Sequence, residues 1–125
     1  MILPAPDPMP VPRRGEVWLL DLEGGGGAEI GKVRPAVVVS SDSIKEGLPL
    51  KVIVPLTSWQ EAFRGRVWHR QILPTSGNGL ANTSSADAMQ VRSVTRIRFK
   101  KRLGVLTATE LQDIVAAVAI VMEYK

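Results

Sequence analysis

The chain has 125 residues, enough for a single domain with a modest core. Hydrophobic residues make up 45% of it and the mean hydropathy is +0.08, which excludes an intrinsically disordered chain. Sixteen Lys and Arg against twelve Asp and Glu leave a net charge of +4, a mild bias toward an anionic partner, and the absence of cysteine excludes a thiol nucleophile, a cysteine zinc site and a disulfide framework.

Five prolines alternate through residues 1–12. They remove backbone donors and impose extended geometry. This predicts a flexible or polyproline-like lead rather than a signal peptide, with residues 13–125 as the folded domain. Residues 16–22, opened by Gly15, are aromatic and aliphatic and predict a first strand, with Trp18 in the core. Four glycines at 24–27 break it, so residues 23–32 are expected to form a mobile loop. Pro35 is expected at the first position of a second strand over the valine-rich residues 36–40. A third strand is predicted over 51–57, with Pro55 marking a bulge or an edge. A polar loop follows over 58–65, then a fourth strand over 66–73 and a turn cluster at 74–78. Residues 84–91 and 95–99 predict a fifth and a sixth strand.

The period then changes. Thr107 and Glu110 have capping-box spacing, and Leu111, Ile114, Val115, Val118 and Met122 recur at helical intervals. Five or six short strands, one terminal helix and no strand–helix alternation predict a mainly β fold: a small, strongly bent β-barrel with a C-terminal helix. The longest apolar run, residues 114–122, is far short of the roughly 20 residues a spanning helix needs, so no membrane passage is expected.

Arg14, Gly15 and Glu16 open a strand ending near Asp21, followed by a Gly-rich loop. Gly31, Arg34 and Pro35 lead into the valine strand. Thr57 and Ser58 close the third strand, and Gln90, Val91 and Arg92 form a Gln-x-Arg block, with Arg102, Leu103 and Gly104 before the helix. In this order the segments resemble those of the MazF/PemK family of toxins from type II toxin–antitoxin systems. The resemblance covers residues 13–123. It implies an SH3-like barrel, usually a homodimer, and a partner antitoxin with an acidic or amphipathic binding segment. It also implies metal-independent, sequence-specific cleavage of single-stranded RNA in the cytoplasm. The implied reaction is attack of the ribose 2′-hydroxyl on the adjacent phosphate, leaving a 2′,3′-cyclic phosphate and a 5′-hydroxyl.

That chemistry needs a base for the 2′-proton, positive charge at the phosphorane and a proton for the leaving 5′-oxygen. No cofactor or metal is expected, since the acidic residues are scattered and there is one histidine. The resemblance gives Arg34 the catalytic position. A guanidinium fork suits two phosphate oxygens, and its high pKa favours electrostatic stabilisation over proton shuttling. Thr57 matches the family's strand-end threonine and can donate to a phosphate oxygen. Glu29, in the loop before Arg34, is the candidate carboxylate base, although Ile30 stands where the family often has a polar glutamine. One branch of the family uses an arginine and an aspartate before the Gln-x-Arg block; here Asp87 and Met89 take those places, which favours an Arg34-centred arrangement. His69 matches no catalytic position and is expected to be structural or to contact RNA.

Ser58, Trp59, Trp68, His69, Gln90, Arg92, Arg96, Arg98 and Lys100 are the expected RNA-binding residues. The two tryptophans would stack bases. Arg96, Arg98 and Lys100, read as a strand, would project to one basic face. The helix is apolar nearly all round over residues 114–122, which suggests a second protomer against it. Two further readings use the same fold: a non-enzymatic barrel toxin that binds a protein target, as the gyrase poison CcdB does, and a plain nucleic-acid-binding barrel. The first would not need Arg34 or Thr57, and the second would keep the basic run without toxicity.

Overall fold

The computed structural model describes residues 10–23, 26–45 and 47–124, so most of the proline-rich lead, two loop glycines, residue 46 and the last residue lie outside it. Seven strands are present among the described residues: β1 (Glu16–Asp21), β2 (Val33–Val38), β3 (Leu50–Ser58), β4 (His69–Ile72), β5 (Ser84–Asp87), β6 (Arg92–Thr95) and β7 (Phe99–Val105). One helix follows, α1 (Ala108–Val121), and single 3-10 turns occur at Glu61–Phe63, Ala88–Gln90 and Arg96–Arg98. The sheet runs β4-β5-β3-β2-β1-β7, with β6 also on β3. All the pairings are antiparallel. The sheet is curled like a barrel, with β4 and β7 as its two ends.

β3 makes the bend. Its first half, Leu50 to Ile53, pairs with β6, and its last three residues, Leu56 to Ser58, pair with β5. Pro55 sits in the gap between the two ladders, where its missing N–H costs no strand pairing on that side. Pro35 is solved similarly. It is the third residue of β2 rather than the first, and the β2–β3 ladder begins only at Ala36.

Side chains alternate across the central strands to build two cores. Val17, Val37, Val54, Leu56, Ile72, Ala86 and Leu106 bury one face together with Ile114 of α1. Trp18, Leu20, Ala36, Val38, Ile53, Val94 and Phe99 fill the other. Trp18 is core, as expected, with its ring edge-on to Phe99 at 5.7 Å. α1 begins at the predicted capping box, where the Thr107 hydroxyl accepts from the Glu110 N–H and the Glu110 carboxylate accepts from the Thr107 N–H.

The ends of several predicted strands differ. β4 is short because residues 66–68 turn into it, and β5 stops at Asp87, whose carboxylate caps the 3-10 turn that follows. The predicted sixth strand over 95–99 is instead a junction: β6 ends at Thr95, residues 96–98 make a 3-10 turn, and β7 starts at Phe99. β7 then packs on the 75–79 turn. A Cβ on Gly104 would lie 2.3 Å from the Gly77 carbonyl oxygen, so only glycine permits this approach. The fully buried Asn78 holds the turn together. Its amide donates to the Leu73 carbonyl and its oxygen accepts from the N–H groups of Thr75 and Leu80. No helix among the described residues is long and apolar enough to cross a membrane.

Candidate functional site

Ala36 of β2 lies opposite Pro55 of β3. Continuing that antiparallel register by two residues brings Arg34 level with Thr57, where β3 has already turned toward β5 and Thr57 faces Ser85. Three surface cavities meet at this point. One of about 540 Å³ is lined by Asp21, Glu23, Glu29, Lys32, Arg34 and Thr57. A second, of about 530 Å³, runs from Glu29 and Thr57 to Phe63, Trp68, His69 and Gln90. A third, of about 170 Å³, is bounded by Arg34, Thr57, Ser58 and Asn82. Thr57 lines all three, while Arg34 and Glu29 each line two. The three residues expected to carry the chemistry are thus brought together from β2, β3 and the loop between β1 and β2.

Arg34 is exposed, and its guanidinium makes no hydrogen bond or ion pair among the described residues. It is a fixed positive charge with its donors free to meet an anion. Among the described residues, backbone hydrogen bonds tie down the loop around Glu29. The Glu29 N–H donates to the Gly26 carbonyl, and the Leu22 N–H donates to Lys32, which adopts a left-handed backbone with φ of 63°. Gln90 reaches across to the same loop. Its side-chain oxygen accepts from the Ile30 N–H, and its amide nitrogen donates to the Ala28 carbonyl at 3.1 Å and to Asp87 at 3.0 Å. Gln90, expected to touch RNA, is therefore committed to the protein. The Ile30 side chain packs against the Trp18 core, which accounts for an apolar residue in that loop position.

The second cavity is aromatic. His69 stacks on Phe63 with centroids 3.9 Å apart and planes 5° from parallel, and Trp59 meets Phe63 edge-on. The Arg66 guanidinium lies 5.8 Å from the Phe63 ring and 5.9 Å from Trp68, in cation–π range. Arg64 covers Trp59 while pairing with Glu61 at 2.9 Å. The buried His69 ring places Nδ1 2.8 Å from the Ser85 hydroxyl. Burial lowers the His69 pKa below its ordinary value; nearby Asp87 opposes that, and Arg66 reinforces it. The net effect favours the neutral imidazole.

Phe63 and Arg66 were not among the residues expected from the sequence, because residues 58–65 read as a polar loop and Arg66 as the start of the fourth strand. A signal was present: Trp59, Phe63, Arg64, Arg66 and Trp68 interleave aromatic and basic side chains within ten positions, as nucleic-acid surfaces do. Among the described residues no group of three or more His, Asp and Glu is arranged to hold a metal ion.

The basic run does not form the single face expected of it. Arg96 and Arg98 lie in the 3-10 turn and Lys100 on β7, so strand alternation does not apply to them. Arg98 donates to the Asp21 carbonyl at 3.2 Å and lies 3.7 Å from Glu23, beside the 540 Å³ cavity. Arg96 lines a different cavity, with Arg13, Asp42 and Lys51. Arg92 is half-buried on β6, opposite Ile53. Lys100 is exposed, with its ammonium 3.5 Å from the Ile97 carbonyl. Arg102 is bound to Glu16 at 2.6 Å.

A family model described as "PemK-like, MazF-like toxin of type II toxin-antitoxin system" matches residues 13–122. The chain is similar to endoribonuclease MazF9 of Mycobacterium tuberculosis, with 34% identity over 108 residues, 82% of this chain and 88% of the relative. Endoribonuclease MazF of Staphylococcus saprophyticus is 27% identical over 114 residues, 86% of this chain and 88% of the relative. Among solved structures, MazF from Deinococcus radiodurans superposes with a TM-score of 0.75 at 24% identity, over 92% of this chain and 99% of that one. An endoribonuclease in complex with its cognate antitoxin from Mycobacterial species gives 0.73 at 22% identity, over 92% and 98%. The structural likenesses establish the shared fold.

Proposed function

From the premise that this chain belongs to the PemK-like, MazF-like toxins of type II toxin–antitoxin systems, we propose that it cuts single-stranded RNA at short sequences, without a metal, at the junction of the three cavities. The observation that carries this reading is the meeting of Arg34, Thr57 and Glu29 around one point, with the Arg34 guanidinium unengaged. The ribose 2′-oxygen attacks phosphorus as Glu29 takes its proton. Arg34 and the Thr57 hydroxyl hold the phosphate oxygens as negative charge grows on them. The bond to the 5′-oxygen breaks, and that oxygen is protonated from the open cavity. The products are a 2′,3′-cyclic phosphate and a 5′-hydroxyl.

The aromatic cavity offers the adjoining nucleotide a stacking surface through Trp68 and the His69–Phe63 pair, with Trp59 edge-on to Phe63 outside its lining, and Ser58 lines the smaller cavity beside Arg34. Arg98 adds positive charge beside the 540 Å³ cavity. Two protomers pair through surfaces that include α1, whose end leaves Ile120, Met122 and Tyr124 exposed. The antitoxin brings an acidic or amphipathic segment, and the RNA substrate places the activity in the cytoplasm. The test is incubation of the purified protein with mixed-sequence RNA in EDTA, followed by end-group analysis. Cyclic phosphate ends are expected. Loss of cleavage on chelation with recovery on adding magnesium would refute the mechanism, and absence of cleavage under both conditions would favour a binding-only barrel.

A further inference from the structure

The wall between the 540 Å³ cavity and the aromatic cavity is the loop over residues 28–30, since Glu29 and Ile30 line both. Gln90 fastens that wall. It lies 60 residues further along the chain from Ile30, on the 3-10 turn after β5, and its one amide group makes three hydrogen bonds. It accepts from the Ile30 N–H, donates to the Ala28 carbonyl and donates to the Asp87 carboxylate. The two loop contacts bracket Glu29 from either side. Asp87 fixes the amide's orientation: one of its oxygens accepts from Gln90 and the other from the Met89 N–H, so the carboxylate is itself held by the turn. Asp87 lies opposite His69 in the β4–β5 ladder, which ties the clasp to the floor of the aromatic cavity.

We propose that Gln90 is a positioning residue for the reaction: it sets the Glu29 loop against Arg34 and Thr57 and makes the loop's placement depend on the turn that lines the base-stacking cavity. The proposal rests on the RNA-cleavage reading above. A glutamine suits this task because a primary amide both accepts and donates, and the loop offers one backbone N–H and one carbonyl flanking a single residue. No other side chain of the described residues hydrogen-bonds to residues 28–30. A loop released from this clasp would leave the carboxylate sampling positions away from the 2′-hydroxyl, and small misplacements of a reacting group lower rates steeply.

The experiment uses Gln90→Met, which keeps the length and packing of the side chain and removes all three hydrogen bonds, beside Gln90→Glu, which keeps an acceptor for the Ile30 N–H and loses both donors. Single-turnover cleavage of a fixed RNA is measured at saturating protein, with RNA affinity measured separately and hydrogen exchange followed at the Ile30 amide. Gln90→Met should lower the rate about 10- to 100-fold with affinity within about two-fold, and Ile30 exchange should accelerate. Gln90→Glu should retain Ile30 protection yet also cleave slowly, because a second carboxylate faces Asp87. A wild-type rate in Gln90→Met would overturn the proposal, as would a loss confined to affinity, which would make Gln90 an RNA contact. Arg34→Ala is assayed in parallel. If the wild type itself cleaves no RNA, the RNA-cleavage reading has failed; if Arg34→Ala cleaves normally, the Arg34-centred site has; if Arg34→Ala is inactive while Gln90→Met is not, only the positioning role has.

Discussion

In the proposed mechanism Arg34 is the residue on which the chemistry turns, and its environment specifies the expected phenotype. Its guanidinium is exposed and unengaged, so Arg34→Ala removes no internal hydrogen bond and should fold normally. Single-turnover cleavage at saturating RNA should fall by at least ~10²–10³-fold, the usual effect of deleting one preorganised donor. Arg34→Lys should recover only part of this, since an ammonium cannot hold two oxygens in one plane. Thr57→Ala should be milder, with a loss on the order of 10²-fold. His69 gives a prediction of a different kind. Its folded-state pKa is lowered, chiefly by burial, so between that value and 6.5 the unfolded chain binds more protons than the folded one. Stability should therefore decline as pH falls through 6.5 and level off once the folded imidazole is also charged. In urea titrations, the stability gap between wild type and His69→Gln should narrow from pH 7.5 to pH 5.5; a constant gap would refute the assignment. At this scale the sequence pointed to Arg34 and Thr57 through the family resemblance, and the structure brings both to one point. It marked Gln90 as an RNA contact and gave no sign of its bonds to the Glu29 loop, because a contact spanning 60 positions leaves no local pattern.

Among the elements, α1 was the most legible, because its start is encoded by a local exchange between Thr107 and Glu110 and its buried stripe by Ile114 and Ala117. Thr107→Ala removes the acceptor for the Glu110 N–H and should cost about 1 kcal/mol, read as a lowered denaturant midpoint with an unchanged slope. The segment over residues 92–105 was the least legible. Alternating arginines imitate a half-exposed strand, yet the chain makes a 3-10 turn at Arg96–Arg98 between two strands with different partners: β6 joins β3 and β7 joins β1. Only tertiary pairing separates them, so a pattern with period two reads them as one. The same holds for β3, where Pro55 signalled an interruption but not that two ladders meet there.

For the whole molecule, the predicted architecture stands: antiparallel strands, a bent sheet and a terminal helix. The helix covers one core with Ile114, Leu111 and Val118 while Ile120, Met122 and Tyr124 remain at the surface near its end. A dimer through this region should give a light-scattering mass of about twice 13.6 kDa. Met122→Lys should shift it toward the monomer, and a wild-type monomer at tens of micromolar would refute the assignment.

The strand order also bears on the protein's synthesis. β1, the first strand to emerge from the ribosome, is held on one side by β7, which emerges last, and the core beneath it is capped by a helix made later still. Glu29, Arg34 and Thr57 are all translated early, yet the clasp at Gln90 and the closing strand come tens of residues afterward. In the proposed mechanism, a chain still being synthesised therefore carries Glu29, Arg34 and Thr57 without the frame that aligns them. Cleavage is then expected only once the Gln90 turn and β7 are in place.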